Sequence, residues 1–339
     1  MKMINFGVIG CGHIGKRHAE MISRNPRAHL VALCDIAPRE TLGIEAYPVH
    51  FHHDYKQMLS SHPEIDVVCL CVPNGLHAPL AVEMMEKGFH VVIEKPMALT
   101  VADARAVVET ERKTGKKAFC VMQNRYSPPS VWIKNLVREG RLGKIEMVQL
   151  NCFWNRDARY YTPGNWHGTA DLDGGTLFTQ FSHFIDIMVW LFGDIQNVNG
   201  RFDSFTHRGL TAFEDSGIVS FDFVQGGMGS LNYSTAAYDA NVESSLLVLG
   251  SAGSVKIGGQ YMDKVEFCHI KDYVMPDLPP TNPGNDYGAY KGSAQNHHYV
   301  IDNVVNVLTE GAEIDCKATE GLAVVDVIEK IYAARGAWK

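Results

Sequence analysis

Ile4-Asn5-Phe6-Gly7-Val8-Ile9-Gly10-Cys11-Gly12-His13-Ile14-Gly15 is the stretch that decides the fold of this 339-residue chain. A short, mostly apolar run leads directly into G-x-G-x-x-G spacing, and His13–Asn25 continues with apolar residues at helical intervals. A strand that turns this sharply needs glycine, and the helix it opens presents unpaired N–H groups and a positive dipole end to a pyrophosphate. Asp35 stands twenty residues beyond Gly15, at the end of the next predicted strand. A carboxylate there can accept hydrogen bonds from the ribose hydroxyls of a dinucleotide. Gly10, Gly12, His13, Ile14, Gly15 and Asp35 are therefore predicted to bind the cofactor. Ile36 follows Asp35, so a 2′-phosphate would meet a negative charge with little compensation, although Arg39 can reach back; NAD is favoured over NADP.

Outward from this stretch the rhythm repeats. Leu30–Cys34, Val67–Val72, His90–Ile93 and Lys117–Val121 read as further strands, and Gly75–Lys87 and Thr100–Thr114 as helices. Thr100 with Asp103 has the spacing of an N-terminal cap. Nearly continuous apolar, β-branched strands alternating with helices predict a doubly wound parallel sheet covered on both faces, a Rossmann domain over residues 1–122. The pattern changes after Ser127-Pro128-Pro129. One helix (Val131–Glu139) and one strand (Lys144–Phe153) precede a long apolar helix, Thr176–Phe192. Strand-like runs follow at Val198–Phe205, Ser216–Val224, Gly229–Ala236 and Ser244–Leu249, and Val219-Ser220-Phe221-Asp222-Phe223 alternates apolar with polar. Residues 123–339 thus predict an α+β domain with a large, open, mainly antiparallel sheet, one face of which is left for solvent or a second copy. Pro276–Ser293 reads as a loop, and Asn296–Leu308 and Thr319–Ala334 as closing helices.

Composition narrows the function. A formal charge of -7 argues against a nucleic-acid partner, which needs a clustered basic face. No positively charged leader precedes the first strand and no apolar run approaches the ~18 residues of a membrane span, so the expected compartment is the cytoplasm. The eight cysteines form no C-x-x-C and sit mostly in apolar runs, as buried free thiols do. His50-Phe51-His52-His53-Asp54 is the nearest approach to a metal cluster, but it reads as a loop entering a helix near Asp54, and no metal site is expected.

Two further motifs lie at predicted strand ends, where open parallel sheets bind ligands. Val72-Pro73-Asn74 with His77 places Pro73, Asn74 and His77 toward the cofactor. Glu94-Lys95-Pro96 places an ionisable amine beside a candidate cis turn, with Glu94 and Lys95 also toward the cofactor. In the second domain, Asn155 to Thr169 carries Arg156, Arg159, Tyr160 and Trp166. Guanidinium groups pair with phosphate or carboxylate oxygens and aromatic faces suit a sugar or base ring, so these four are candidate substrate contacts.

The set Gly10-x-Gly12-x-x-Gly15, Pro73-Asn74-x-x-His77, Glu94-Lys95-Pro96 and Asp173-Gly174-Gly175-x-Leu177, leading to His183 and Asp186, resembles the glucose-fructose oxidoreductase, inositol dehydrogenase and rhizopine catabolism family, often called Gfo/Idh/MocA. The resemblance runs essentially end to end. It implies NAD(P)-dependent oxidation or reduction of sugars or polyols, with Lys95 and His183 as the catalytic residues, and an open sheet used in assembly as a homodimer or homotetramer. It also implies that Asn124 and Arg125, in Gln123-Asn124-Arg125-Tyr126, face the substrate. Members similar to inositol dehydrogenase carry an aspartate four residues before the histidine; here Thr179 stands there, with Gln180 beside it, and both are candidate substrate contacts. A hydroxyl cannot stabilise an imidazolium as a carboxylate does, which leaves the acid–base work to Lys95. Stretch 155–169 is similar to the branch acting on nucleotide-linked sugars in surface-polysaccharide synthesis. The expected substrate is a nucleotide-linked amino sugar or its uronic acid. The alternatives are a free polyol or monosaccharide such as an inositol, and a regulator that senses NAD without turnover.

Overall fold

A computed structural model describes residues 2–162, 164–286 and 291–336. The chain divides into two compact units, Met1–Met122 with His297–Val325 and Gln123–Asn296 with Asp326–Lys339. It passes between them three times, where the sequence expectation is one passage after residue 122.

In the first unit, strands β1 (Ile4–Ile9), β2 (Ala28–Cys34), β3 (His50–His52), β4 (Val67–Leu70), β5 (His90–Ile93) and β6 (Ala118–Cys120) pair in parallel in the order β3-β2-β1-β4-β5-β6. Helices α1 (His13–Arg24), α2 (Tyr55–Ser61), α3 (His77–Glu86) and α4 (Val101–Thr114) connect them. Val67, Val68, Val91, Val92 and Ile93 are fully buried, as a sheet covered on both faces requires. Thr100 caps α4 by accepting the Asp103 N–H at 3.0 Å, and Gly115 ends it at φ +71°. The histidine-rich stretch is not a loop. His50–His52 pairs with the end of β2 as a short edge strand, and His52 Nε2 lies 3.1 Å from His62 Nε2.

The second unit opens with α5 (Pro128–Arg138), which starts three residues before the expected Val131. Proline at the first turn has the required φ and lacks an N–H that would be unpaired there anyway. After β7 (Ile145–Phe153), the expected helix from Thr176 proves composite: Leu177–Phe181 is π-wound and Ser182–Phe192 forms α6. β8 (Ile195–Asp203), β9 (Ser216–Phe223), β10 (Met228–Ser234) and β11 (Glu243–Gly250) follow. Two strands unforeseen in the sequence, β12 (Gly253–Gly258) and β13 (Lys264–Ile270), complete the sheet. Its order is β13-β12-β11-β7-β10-β9-β8, antiparallel throughout except for β7 beside β10. Val148, Leu150, Val219, Phe221, Leu231, Tyr233 and Leu246 fill the buried face. Within the expected loop 276–293, β14 (Gly284–Asp286) and β15 (Lys291–Ala294) pair, and residues 287–290 lie outside the described residues.

The chain then returns to the first unit with α7 (His297–Glu310), which packs on α1 through Asn25 Nδ2 donating to Asp302 at 2.7 Å. Helix α8 (Ala318–Arg335) is divided between the units at Val325. Among the described residues no helix is long and apolar enough to cross a membrane.

Candidate active site

In the first unit the carboxyl ends of the strands line up. Ile9 pairs with Cys34 and with Leu70, Leu70 with Ile93, and Ile93 with Cys120. The glycine turn, Asp35, Pro73 and Lys95 therefore leave the sheet along one edge. Sequential order reverses between β1 and β4, the switch point at which such sheets bind ligands.

The glycines divide by cause. Gly10 has φ +91° and a Cβ there would strike the Cys71 carbonyl; a Cβ at Gly15 would strike the Gly10 carbonyl. Both are required by the chain's own packing. A Cβ at Gly12, the N-cap of α1, would meet nothing within 4 Å, so the space over the helix N-terminus is open. Asp35 Oδ2 accepts the Cys11 N–H at 2.6 Å and Oδ1 the Ala37 N–H at 2.9 Å, which locks the carboxylate to the same turn. Burial, and then Asp35, push the Cys11 thiol up to about 12, so it stays uncharged there. His13 is exposed and Ile14 half-buried on the first turn. An open glycine cradle, a helix N-terminus and a fixed carboxylate fit a dinucleotide.

The residues at the neighbouring strand ends are placed differently from expectation. Pro73 leads a 3₁₀ turn, Asn74–Leu76, in which Asn74 is buried. His77 is 1% exposed, with Nδ1 2.7 Å from the Pro96 carbonyl and Nε2 2.8 Å from that of Val72. Its ring lies between two segments that have run past the ends of β4 and β5, and burial keeps it neutral, so its one N–H is donated to one of the two carbonyls. Glu94 also turns inward: Oε1 accepts from His18 Nε2 at 2.8 Å and Oε2 from the Lys95 N–H at 3.2 Å. The Lys95–Pro96 peptide is cis, and Lys95 is half-buried.

In the second unit His183 lies buried on the first turn of α6, directly after the π turn. That winding breaks the simple four-residue register on which Thr179 and His183 would share a face. Thr179 is occupied elsewhere, its hydroxyl donating to the carboxylate and the carbonyl of Asp173. Asp173 is fully buried and also accepts the Gly168 N–H at 2.7 Å. Gln180 Oε1 accepts from Arg156 Nε at 2.8 Å, while its Nε2 is buried with no hydrogen-bond partner. The turn Gln123–Tyr126 packs against α6. There Arg125 forms a buried two-point ion pair with Asp186, at 2.8 and 2.6 Å, and lies over Trp190. Arg125 thus holds the helix rather than presenting its charge. Both amide atoms of Asn124 are buried without a partner, as is Ser182 Oγ. Orphaned polar atoms of this kind are what a hydroxyl-rich ligand satisfies.

The two arginines of the preceding loop differ. Arg156 is 3% exposed, wedged over Trp154 and Tyr160, and donates to Gln180 and to the carbonyls of Asn155 and Lys291. Arg159 is exposed and paired with Asp157 at 2.7 Å. Tyr160 and Trp166 are half-buried, each with its ring against His167. Sequence reasoning singled out neither Asp173 as the partner of Thr179 nor Asp186 as that of Arg125; only the presence of both acids in the glycine-rich motif pointed to them.

Residues 4–122 match the family described as "Oxidoreductase family, NAD-binding Rossmann fold" and residues 131–256 the "GFO/IDH/MocA C-terminal domain". The chain is similar over 98% of its length to the WlbA dehydrogenase from Bordetella pertussis in complex with NADH and UDP-GlcNAcA, at 31% identity and TM-score 0.88, covering 96% of that chain. The corresponding complex of WlbA from Chromobacterium violaceum matches at 30% identity and TM-score 0.87 over 98% of this chain and 94% of that one. Inositol 2-dehydrogenase from Rhizobium meliloti is 25% identical over 94% of this chain and 93% of its own.

Proposed function

This chain belongs to the Gfo/Idh/MocA oxidoreductase family, and from that premise we propose that it oxidises a hydroxyl of a nucleotide-linked amino sugar or its uronic acid with NAD. That it is an NAD-binding sugar oxidoreductase follows from the family. The observation that carries the substrate class is the end-to-end similarity to structures holding NADH together with UDP-GlcNAcA.

Gly10, Gly12, Gly15 and Asp35 would hold the dinucleotide, which when bound supplies the hydride acceptor. Preference for NAD rests on Asp35 together with Arg39, whose guanidinium donates to the Tyr47 and Val49 carbonyls at 3.0 and 3.2 Å instead of standing free for a 2′-phosphate. Lys95 takes the proton of the hydroxyl as hydride leaves its carbon, and His183 contacts the sugar. Thr179 is no part of a proton relay, because its hydroxyl is committed to Asp173. Asn124 and Gln180 supply hydrogen bonds that the protein itself leaves unmade. Phosphates would be met by Arg159, whose exposed ion pair exchanges readily with solvent, and not by Arg156. The eight free cysteines fit a reducing cytoplasm.

The test is NAD reduction assayed against UDP-linked N-acetylhexosamines and their uronates, beside inositols and free hexoses. Turnover should favour the UDP compounds, Arg159→Ala should raise their KM, and Lys95→Ala should lower kcat by about 10²–10⁴-fold with NADH binding retained. Several relatives are inositol 2-dehydrogenases, which favours a free polyol as the second reading. Activity confined to unphosphorylated compounds would select it.

A further inference from the structure

Behind Lys95 lies a buried cluster that binding a dinucleotide does not require. Glu94 is 5% exposed, His18 of α1 fully buried, and His297 at the start of α7 1% exposed. His18 Nε2 and Glu94 Oε1 are 2.8 Å apart, and His297 Nε2 stands 3.5 Å from the same oxygen. The other oxygen, Oε2, accepts the backbone N–H of Lys95. Nδ1 of His297 lacks a hydrogen-bond partner. The 2.8 Å separation is that of a hydrogen bond.

A carboxylate this deeply buried stays ionised only beside positive charge. Left uncompensated one residue from Lys95, it would hold the lysine as ammonium, the wrong state for accepting a proton. We infer that His18 and His297 are positioning residues for Lys95: together they hold the Glu94 carboxylate that accepts its backbone N–H, and the His18 imidazolium cancels the carboxylate's charge, so that the amine can lose its proton. This rests on the reading of Lys95 as the proton acceptor.

The surroundings agree. Burial disfavours the charged His18 ring, but contact with the Cys71 and Cys69 sulfurs and with the ionised Glu94 holds its pKa well above the usual value. Burial likewise opposes ionisation of Glu94, and the two histidines outweigh it, keeping the carboxyl well below its usual range. Burial pushes His297 down, so the single positive charge falls on His18. Cys71 is pushed up to about 11, chiefly by burial, and stays neutral. Among the described residues, His77 of α3, which feels both Glu94 and Lys95, and Arg17 of α1, which acts on His297, also face the cluster.

The experiment measures the Lys95 pKa in the full-length protein by competitive acetic anhydride labelling and mass spectrometry across pH, with NADH binding and thermal unfolding as checks of folding. His18→Gln, which keeps a donor but removes the charge, should raise that pKa by about one unit or more; Glu94→Gln should lower it by a similar amount. Generalised damage would instead move both toward the ~10.4 of a solvated lysine. Shifts of the same sign, or none, overturn the proposal. Should a variant fail to fold, 15N-histidine NMR of the wild type decides: one imidazolium must persist at pH 8, and its absence refutes the inference. Opposite shifts in a protein whose Lys95→Ala variant still turns over would uphold the charge compensation and reject Lys95 as the base.

Discussion

Asp35 accepts hydrogen bonds from Cys11 and Ala37, so its carboxylate is fixed in the glycine turn before any ligand arrives. A carboxylate held this way cannot swing aside for a 2′-phosphate, and Arg39 is tied to carbonyls of the following loop. NADH should therefore bind more tightly than NADPH in a fluorescence titration, and Asp35→Ala should narrow the gap by about tenfold, which corresponds to about 1.4 kcal/mol. Equal affinity of the wild type for both would reject the assignment. At this scale the sequence places the glycine turn and Asp35, because the backbone itself builds them. For Arg156 and His77 residue type identifies a chemistry but does not tell that the protein's own carbonyls lie within hydrogen-bond distance of it.

The element that organises the second unit's site is α6 with the π turn before it. Apolar periodicity predicts one helix over this span, since all of it but Val189 and Trp190 is buried and gives no face to distinguish α from π winding. The consequence is chemical: Thr179 turns to Asp173. On the next turn Asp186 receives Arg125 in a buried two-point pair. Removing one partner strands the other's charge. Asp186→Ala should accordingly cost about 3–5 kcal/mol in urea unfolding, whereas the double change Arg125→Met with Asp186→Leu should recover most of that loss. If the single variant is as stable as the wild type, the pair does not hold the helix.

On the scale of the whole molecule, the outward face of the seven-stranded sheet is the feature that calls for a partner. Phe267, Lys256, Leu247, Gln149, Ser230, Ser220 and Asn199 form one row across it, with Met147, Ile218 and Met228 exposed on the same face. A broad, mixed apolar and polar face suits a self-complementary interface with a second copy. Light scattering at micromolar concentration should give a dimer or tetramer, and Ile218→Asp with Met228→Asp should shift it toward monomer. A wild-type monomer would remove the assignment.

By itself the sequence determined the parallel domain, its glycine turn with Asp35, and the antiparallel character of the second sheet. These depend on local spacing: glycine where the chain turns, periods of two or of 3.6 where one face is buried, a cap where a helix begins. Only the tertiary structure decided the rest. It placed His18, Glu94 and His297 in one cluster, returned His297–Val325 to the first unit, and bound Arg125 to Asp186 and Thr179 to Asp173. Each of the side-chain pairings except the last joins residues more than fifty positions apart, and each answers the same demand, that a buried polar group find a partner wherever the fold brings one.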